Sequence, residues 1–371
     1  MINRRTMLAG LATGVTGYCL GGFPRQSAAA ETNWFDVADW GVEGKGFDQT
    51  TAYYDRLPAT AEEEVRAPVW SLSRHSAGMI ARFRAQTSEL SVRYTLTSSR
   101  IAMPHMPATG VSGVDLYALD DQGRERWVQV SRPTGQSVEA VLARGIDPPA
   151  GGGMRQFALY LPLYNGVTKL EVGIATGDKL EPLAPRSEKP IVFYGTSIMH
   201  GACASRPGMA IPAILGRRLG LPTINLGFSG NGRMELEVGK YLSQLDAAVQ
   251  VIDCLPNLQG DQVAERTIPL VKQLRARQPE VPILLVEDRT YSNAGFFASS
   301  RARHEKSRQA LRSCFEKLRA EGTRRLYYLE GKDLIGSDGD GATDGSHPND
   351  LGMMRYADQY EPVLRKILKA G

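Results

Sequence analysis

Between residues 69 and 176 the apolar positions recur every second residue. Leu90, Val92, Tyr94 and Leu96 alternate with Ser91, Arg93, Thr95 and Thr97, the period of a strand with one buried face. An apolar run at 114–118 is followed, after Asp120-Asp121-Gln122-Gly123, by another at 127–130, which predicts a hairpin. Runs at 157–163 and 169–174 flank Tyr164-Asn165-Gly166, a second turn of hairpin type. Several short strands with closely spaced turns predict an antiparallel β-sandwich of jelly-roll type over residues 31–185. Residues 180–190, with Pro182, Pro185 and Pro190 among charged residues, read as a connector.

From there the period alternates. Residues 191–194 form a short continuous apolar run, as in a strand buried on both faces. Helix-like stretches at 210–219, 262–277, 301–320 and 350–369 alternate with strand-like ones at 223–226, 247–254, 281–286 and 325–329. Such alternation predicts a three-layer α/β domain with a mostly parallel sheet over 188–371.

The composition changes little in this picture. The chain has 371 residues, 42% hydrophobic and 23% charged, which excludes a disordered chain, a coiled coil and a disulfide-rich mini-scaffold. Residues 1–30 carry Arg4, Arg5 and Arg25 and no acid, so the net charge of +4 resides largely in that segment. No Lys/Arg block remains after it, which argues against a nucleic-acid partner. Arg4-Arg5 before an uncharged run, with Ala28-Ala29-Ala30 as a cleavage site, reads as an export signal of twin-arginine type. An ordinary secretory signal is the alternative; Tyr18 before Cys19 is too bulky for a lipoprotein anchor. The run is too short for a membrane span, and nothing later in the chain spans a membrane. The expected mature chain begins near Glu31 and works in the periplasm or outside the cell. Cys203, Cys254 and Cys314 lack metal-ligand spacing, so buried free thiols are expected; if one bridge forms, Cys203–Cys254 is the expected pair.

In a parallel sheet of this kind the ligand site lies beyond the carboxyl ends of the strands. There the sequence places Gly195-Thr196-Ser197, then Gly227-Phe228-Ser229-Gly230, then Leu255-Pro256-Asn257, with Asp344-Gly345-Ser346-His347-Pro348 before the last helix. That set suits acyl transfer. A serine hydroxyl needs a base, and the base needs a carboxylate to fix its tautomer and stabilise the imidazolium. The backbone N–H groups of Ser197 and Gly230 and the amide of Asn257 would supply oxyanion donors.

These blocks resemble the SGNH (GDSL-type) hydrolases. Tyr194-Gly195-Thr196-Ser197-Ile198 stands for the first block, with Thr196 where the family usually has Asp. Residues 225–230 stand for the second and 344–348 for the last. The third departs from Gly-x-Asn-Asp and reads Asp253-Cys254-Leu255-Pro256-Asn257. Gly113-Val114-Asp115-Leu116-Tyr117 resembles the Gly-x-Asp-Leu-Tyr signature of the β domain preceding a subset of these esterases. The resemblance implies a serine esterase working through an acyl-enzyme. Ser197 would be the nucleophile, His347 the base and Asp344 its orienter. No cofactor or metal is implied. By family analogy the substrate is an acetylated polysaccharide or a small ester. A lipase or thioesterase, and a glycan-binding protein without turnover, are the alternatives.

Other residues are placed more loosely. His105, between Pro104 and Pro107, is expected to line the substrate cleft, as are Arg74, His75 and His200. His304, on a charged helix, is expected to face solvent. Asp338-Gly339-Asp340-Gly341 reads as a solvated turn and not as a calcium loop.

Overall fold

The computed structural model describes residues 31–369, so the export-signal reading of residues 1–30 lies outside the described residues. The first part of the chain runs β1 (Thr32–Asp36), α1 (Ala67–Ser73), β2 (Ile80–Gln86), β3 (Glu89–Leu96), α2 (Ala108–Val111), β4 (Asp115–Leu119), β5 (Glu125–Val130), β6 (Ser137–Arg144), β7 (Arg155–Tyr160), β8 (Val167–Ala175) and β9 (Lys179–Pro182). These strands form two antiparallel sheets, ordered β1-β8-β3-β6 and β5-β4-β7-β2-β9. Leu90, Val92, Tyr94 and Leu96 face inward from β3, as their alternation predicts, and meet Phe83, Leu116, Phe157 and Leu159 of the other sheet. Each such fully buried side chain contributes roughly 1.5–3 kcal/mol.

Two expectations need correction. Strands β4 and β5 do form a hairpin across Asp120–Gly123, but β7 and β8 do not pair with each other. Instead, Tyr164-Asn165-Gly166 carries the chain from one sheet to the other. Asn165 pins that corner, accepting from Thr97 Oγ1 and Ser98 N–H at 3.1 Å and donating to Ser98 O at 3.0 Å. The stretch read as a connector begins as β9, which pairs with β2. A strand ending in Pro182 is tolerated there because an edge strand needs partners on one side only.

The second part runs β10 (Ile191–Gly195), α3 (Ser197–His200), α4 (Ile211–Leu219), β11 (Thr223–Gly227), α5 (Leu236–Leu242), β12 (Val249–Asp253), α6 (Gly260–Arg277), β13 (Ile283–Val286), α7 (Ala298–Ala320), β14 (Leu326–Leu329) and α8 (Asp350–Lys369). The sheet is parallel throughout, in the order β11-β10-β12-β13-β14. Phe193, Val251 and Leu284 point to the face covered by α4 and α8, where Ile214, Tyr360 and Leu364 meet them. Tyr194, Ile252 and Leu285 point to the opposite face, against α5, α6 and α7. This is the three-layer α/β arrangement, and the strand order reverses at β10, between β11 and β12. Chains leaving neighbouring strands there diverge to opposite faces and open a crevice at the carboxyl edge.

The sandwich and the α/β layers share cores. Leu57, Ala61, Val65 and Val69 join one helical layer, and Met106, Val111, Leu163 and Tyr164 join the other. From Thr32 onward the chain forms one compact unit. Cys203, Cys254 and Cys314 are buried free thiols. Among the described residues no helix is long and apolar enough to cross a membrane.

Candidate active site

At the crevice, β10 ends in Gly195 and Thr196 caps the single turn of α3, its Oγ1 accepting from Ile198 N–H at 3.3 Å. The capping oxygen is what the local geometry requires, and a threonine supplies it as well as an aspartate would. Ser197 therefore sits at the first helical position, 7% exposed. Its Oγ lies 2.8 Å from His347 Nε2, and His347 Nδ1 lies 2.7 Å from Asp344 Oδ2. Asp344 Oδ1 also accepts the backbone N–H groups of Ser346 and His347, at 3.0 and 2.8 Å. The carboxylate thus fixes both the ring and the turn that carries it. Partial burial would raise the Asp344 carboxyl, but these N–H groups outweigh it and hold it at about 2. It is ionised wherever the enzyme would work, with Nδ1–H of the imidazole directed to it and Nε2 left to accept from the serine.

The second block folds over the first. Phe228 N–H donates to Gly195 O at 2.9 Å, and a Cβ on Gly232 would stand 1.9 Å from that same oxygen, so only glycine allows the approach. Asn231 and Gly232 both donate to Phe228 O at 2.8 Å; the Gly230 N–H is not used in the turn. Gly230 has φ 69° with open space around it, a conformation costly for any residue with a Cβ. Asn257 follows β12 on a 3-10 turn, and its Nδ2 donates to Gly232 O at 3.2 Å. An amide nitrogen carries two protons, so the second remains for another acceptor. The third block, which departs most from the family pattern, is thereby tied to the second.

Of the looser candidates, His105 is brought to the site: it is exposed, and its ring lies 6.0 Å from that of His347. The other three are not. His200 has no exposed surface; it stacks on Tyr164 at 4.1 Å and its Nε2 lies 3.4 Å from Arg56. His75 sits 5.4 Å from His200, and burial, reinforced by the Arg56 charge, pushes it down to about 3. Both rings are therefore neutral packing beneath the nucleophile turn and not cleft walls. Arg74 is engaged by Asp55 at 3.1 Å and by the face of Trp70. His304 is also corrected: it is 2% exposed and faces Asp288. Its position seven residues before Leu311 and fourteen before Leu318, both buried, marks it as part of the same inward stripe.

Arg56 was not legible as a site residue. It is fully buried without a carboxylate partner and donates to four carbonyls: His75 O, Asn225 O, Gly227 O and Leu72 O, at 2.9, 3.0, 2.8 and 2.6 Å. Burial pushes its guanidinium down to about 9. Through Gly227 it supports the start of the Gly230 turn from the N-terminal part of the chain. Tyr164 reaches the site from the same side, its hydroxyl donating to Ser197 O at 3.3 Å.

Residues 188–365 match the family of GDSL-like lipases/acylhydrolases, and residues 32–180 match the N-terminal domain of SGNH-hydrolase-type esterases. Among solved structures, a protein from Bacteroides ovatus ATCC 8483 described as a GDSL-like lipase is 31% identical, with a TM-score of 0.86 over 91% of this chain and 98% of that one. The salicylyl-acyltransferase SsfX3 of a tetracycline biosynthetic pathway shares the fold at 19% identity and a TM-score of 0.68, over 91% and 97%. A family two carbohydrate esterase from Cellvibrio japonicus does so at 12% identity and a TM-score of 0.56, over 92% and 99%. No curated protein matches the chain.

Proposed function

Since the chain belongs to the GDSL-like lipase/acylhydrolase family and carries the N-terminal domain of SGNH-type esterases, we propose that it is an exported serine esterase acting on O-acylated carbohydrate. The observation that carries the reading is the relay from Ser197 Oγ through His347 to Asp344, with contacts of 2.8 and 2.7 Å. Ser197 attacks the ester carbonyl while His347 Nε2 takes its proton, and the imidazolium is stabilised by Asp344. The tetrahedral oxyanion is held by the N–H groups of Ser197 and Gly230 and the free amide proton of Asn257. Collapse expels the alcohol, protonated by His347, and leaves the acyl group on Ser197. Water, deprotonated by the same ring, then releases the carboxylic acid and restores the serine.

The carbohydrate substrate is supported by the fold shared with carbohydrate esterases and by His105 beside the catalytic ring. Export is supported by the Arg4-Arg5 segment. One experiment addresses chemistry and substrate together. Ser197→Ala should lose p-nitrophenyl acetate hydrolysis by several orders of magnitude and lose fluorophosphonate labelling, with circular dichroism unchanged. His105→Ala should lower kcat/KM for an acetylated oligosaccharide while barely changing that for the aryl ester. Near-parental turnover by Ser197→Ala would end the esterase reading. Equal losses by His105→Ala on both substrates would place His105 in the chemistry instead of in glycan binding.

A further inference from the structure

At the carboxyl end of β13 the chain buries a charge. Asp288 has no exposed surface and is met by Arg289, by Arg303 Nη1 at 2.6 Å and by His304 Nδ1 at 3.3 Å. His304 Nε2 accepts the Tyr291 N–H at 3.3 Å, so the ring's proton is on Nδ1 and the ring is neutral. Burial opposes the charge on Asp288, but the neighbouring guanidinium of Arg289 outweighs it and holds the carboxyl far below its usual range. One carboxylate thus orients two guanidiniums.

Each guanidinium holds a different loop of the active site. Arg289 Nε donates to Ser346 O at 3.0 Å and its Nη2 to Ser346 Oγ, on the residue before His347. Arg303 Nη2 donates to Pro256 O at 2.9 Å and Leu258 O at 3.3 Å, the carbonyls on either side of Asn257. Arg308 fixes the hub itself, donating from Nε and Nη2 to the Asp288 carbonyl at 2.9 and 2.7 Å. The loops bearing His347 and Asn257 make no backbone ladder with each other, and this hub is what spans them.

We propose that Asp288 is a positioning residue for the hydrolysis: through Arg303 it places the Asn257 amide, and through Arg289 it places the His347 turn. The inference rests on the esterase reading of Ser197, His347 and Asn257. Desolvating an ion pair costs several kcal/mol per ion, so a buried cluster is weak evidence for stability. A transition state is far more exacting, since a misplacement of about 1 Å can cost 100-fold in rate.

The test is a set of double-mutant cycles on p-nitrophenyl acetate, reading kcat and KM separately. Arg303→Met should lower kcat roughly ten- to hundredfold with KM held within about twofold. In an Asn257→Ala background it should cost no more than about a further twofold, because the group it positions is gone. Asp288→Asn should lower kcat more than Arg303→Met, and should keep part of its effect in the Asn257→Ala background through the Arg289 arm. Full additivity of Arg303→Met with Asn257→Ala overturns the proposal, as does an unchanged kcat in folded Asp288→Asn. If Asp288→Asn does not fold, the Arg303→Met cycle decides alone. A parent enzyme whose turnover does not depend on Ser197 would sink the esterase reading itself; Ser197-dependent turnover with additive losses sinks only the positioning role.

Discussion

Asn257 differs in context from its family counterpart, yet its side chain stands where a donor is needed. Holding Gly232 O at 3.2 Å with one amide proton, it is pre-aligned and loses little freedom when the other proton meets an oxyanion. Asn257→Ala should therefore reduce kcat by about 2.7–4 kcal/mol of barrier, with little change in KM, because the interaction strengthens only in the transition state. Steady-state kinetics on an aryl acetate would check this, and an unchanged kcat would reduce Asn257 to a brace for the Gly232 turn.

Strand ends are where this fold concentrates its buried charge, and β12 offers a pH-dependent consequence. Its last residue, Asp253, has no exposed surface. Burial raises its carboxyl to about 7, against the pull of a 2.5 Å hydrogen bond from the Tyr360 hydroxyl, and the Asp288 charge adds to the rise. Between about pH 4 and 7 the unfolded chain has released a proton that the folded chain keeps. Stability from this group therefore falls as pH rises through that interval, by up to about 1.4 kcal/mol per unit, and levels off above it. Asp253→Asn keeps an acceptor for Tyr360 and should remove that part of the slope. Urea unfolding of both proteins from pH 4 to 7.5 would show it; parallel curves would mean that Asp253 ionises as it would in water.

For the molecule as a whole, the Asp of the Gly-x-Asp-Leu-Tyr segment is a joint between the sandwich and the α/β layers. Asp115, fully buried, accepts Trp127 Nε1–H at 2.9 Å on its own side, and Arg206 Nη1 at 2.9 Å and Gly208 N–H at 2.8 Å from the other. Nearby, a Cβ on Gly208 would stand 2.4 Å from the Tyr117 ring, so the surfaces close without a gap. Asp115→Ala would strand Arg206 beside Trp127 and Tyr117 and should cost about 3–5 kcal/mol. Since both helical layers draw core residues from the N-terminal part, the parent should unfold in one cooperative transition. Calorimetry showing two separated transitions in the parent would contradict that coupling.

Much of this was legible without coordinates, and the reason is local. Alternation in β3, the continuous apolar run of β10 and the alternating strands and helices after it each record which faces a segment must bury. The relay was legible because Asp344 and His347 lie within one turn and Ser197 ends a strand, so short contiguous segments carry most of its geometry. The same rule applied to the fourth strand of the parallel sheet would have marked Asp288 and Arg289. What the sequence left open depends on contacts between distant segments. Arg56 holds Gly227 across 171 positions, and nothing in its own neighbourhood distinguishes it from a solvated arginine. The 157–163 and 169–174 runs look the same whether they pair with each other or enter opposite sheets. His105 meets His347, and His304 meets Asp288, only once the layers are packed. Local pattern fixes which face of an element is apolar; which charge or ring from elsewhere completes a site is decided by tertiary packing, where burial makes an unpaired group too costly to keep.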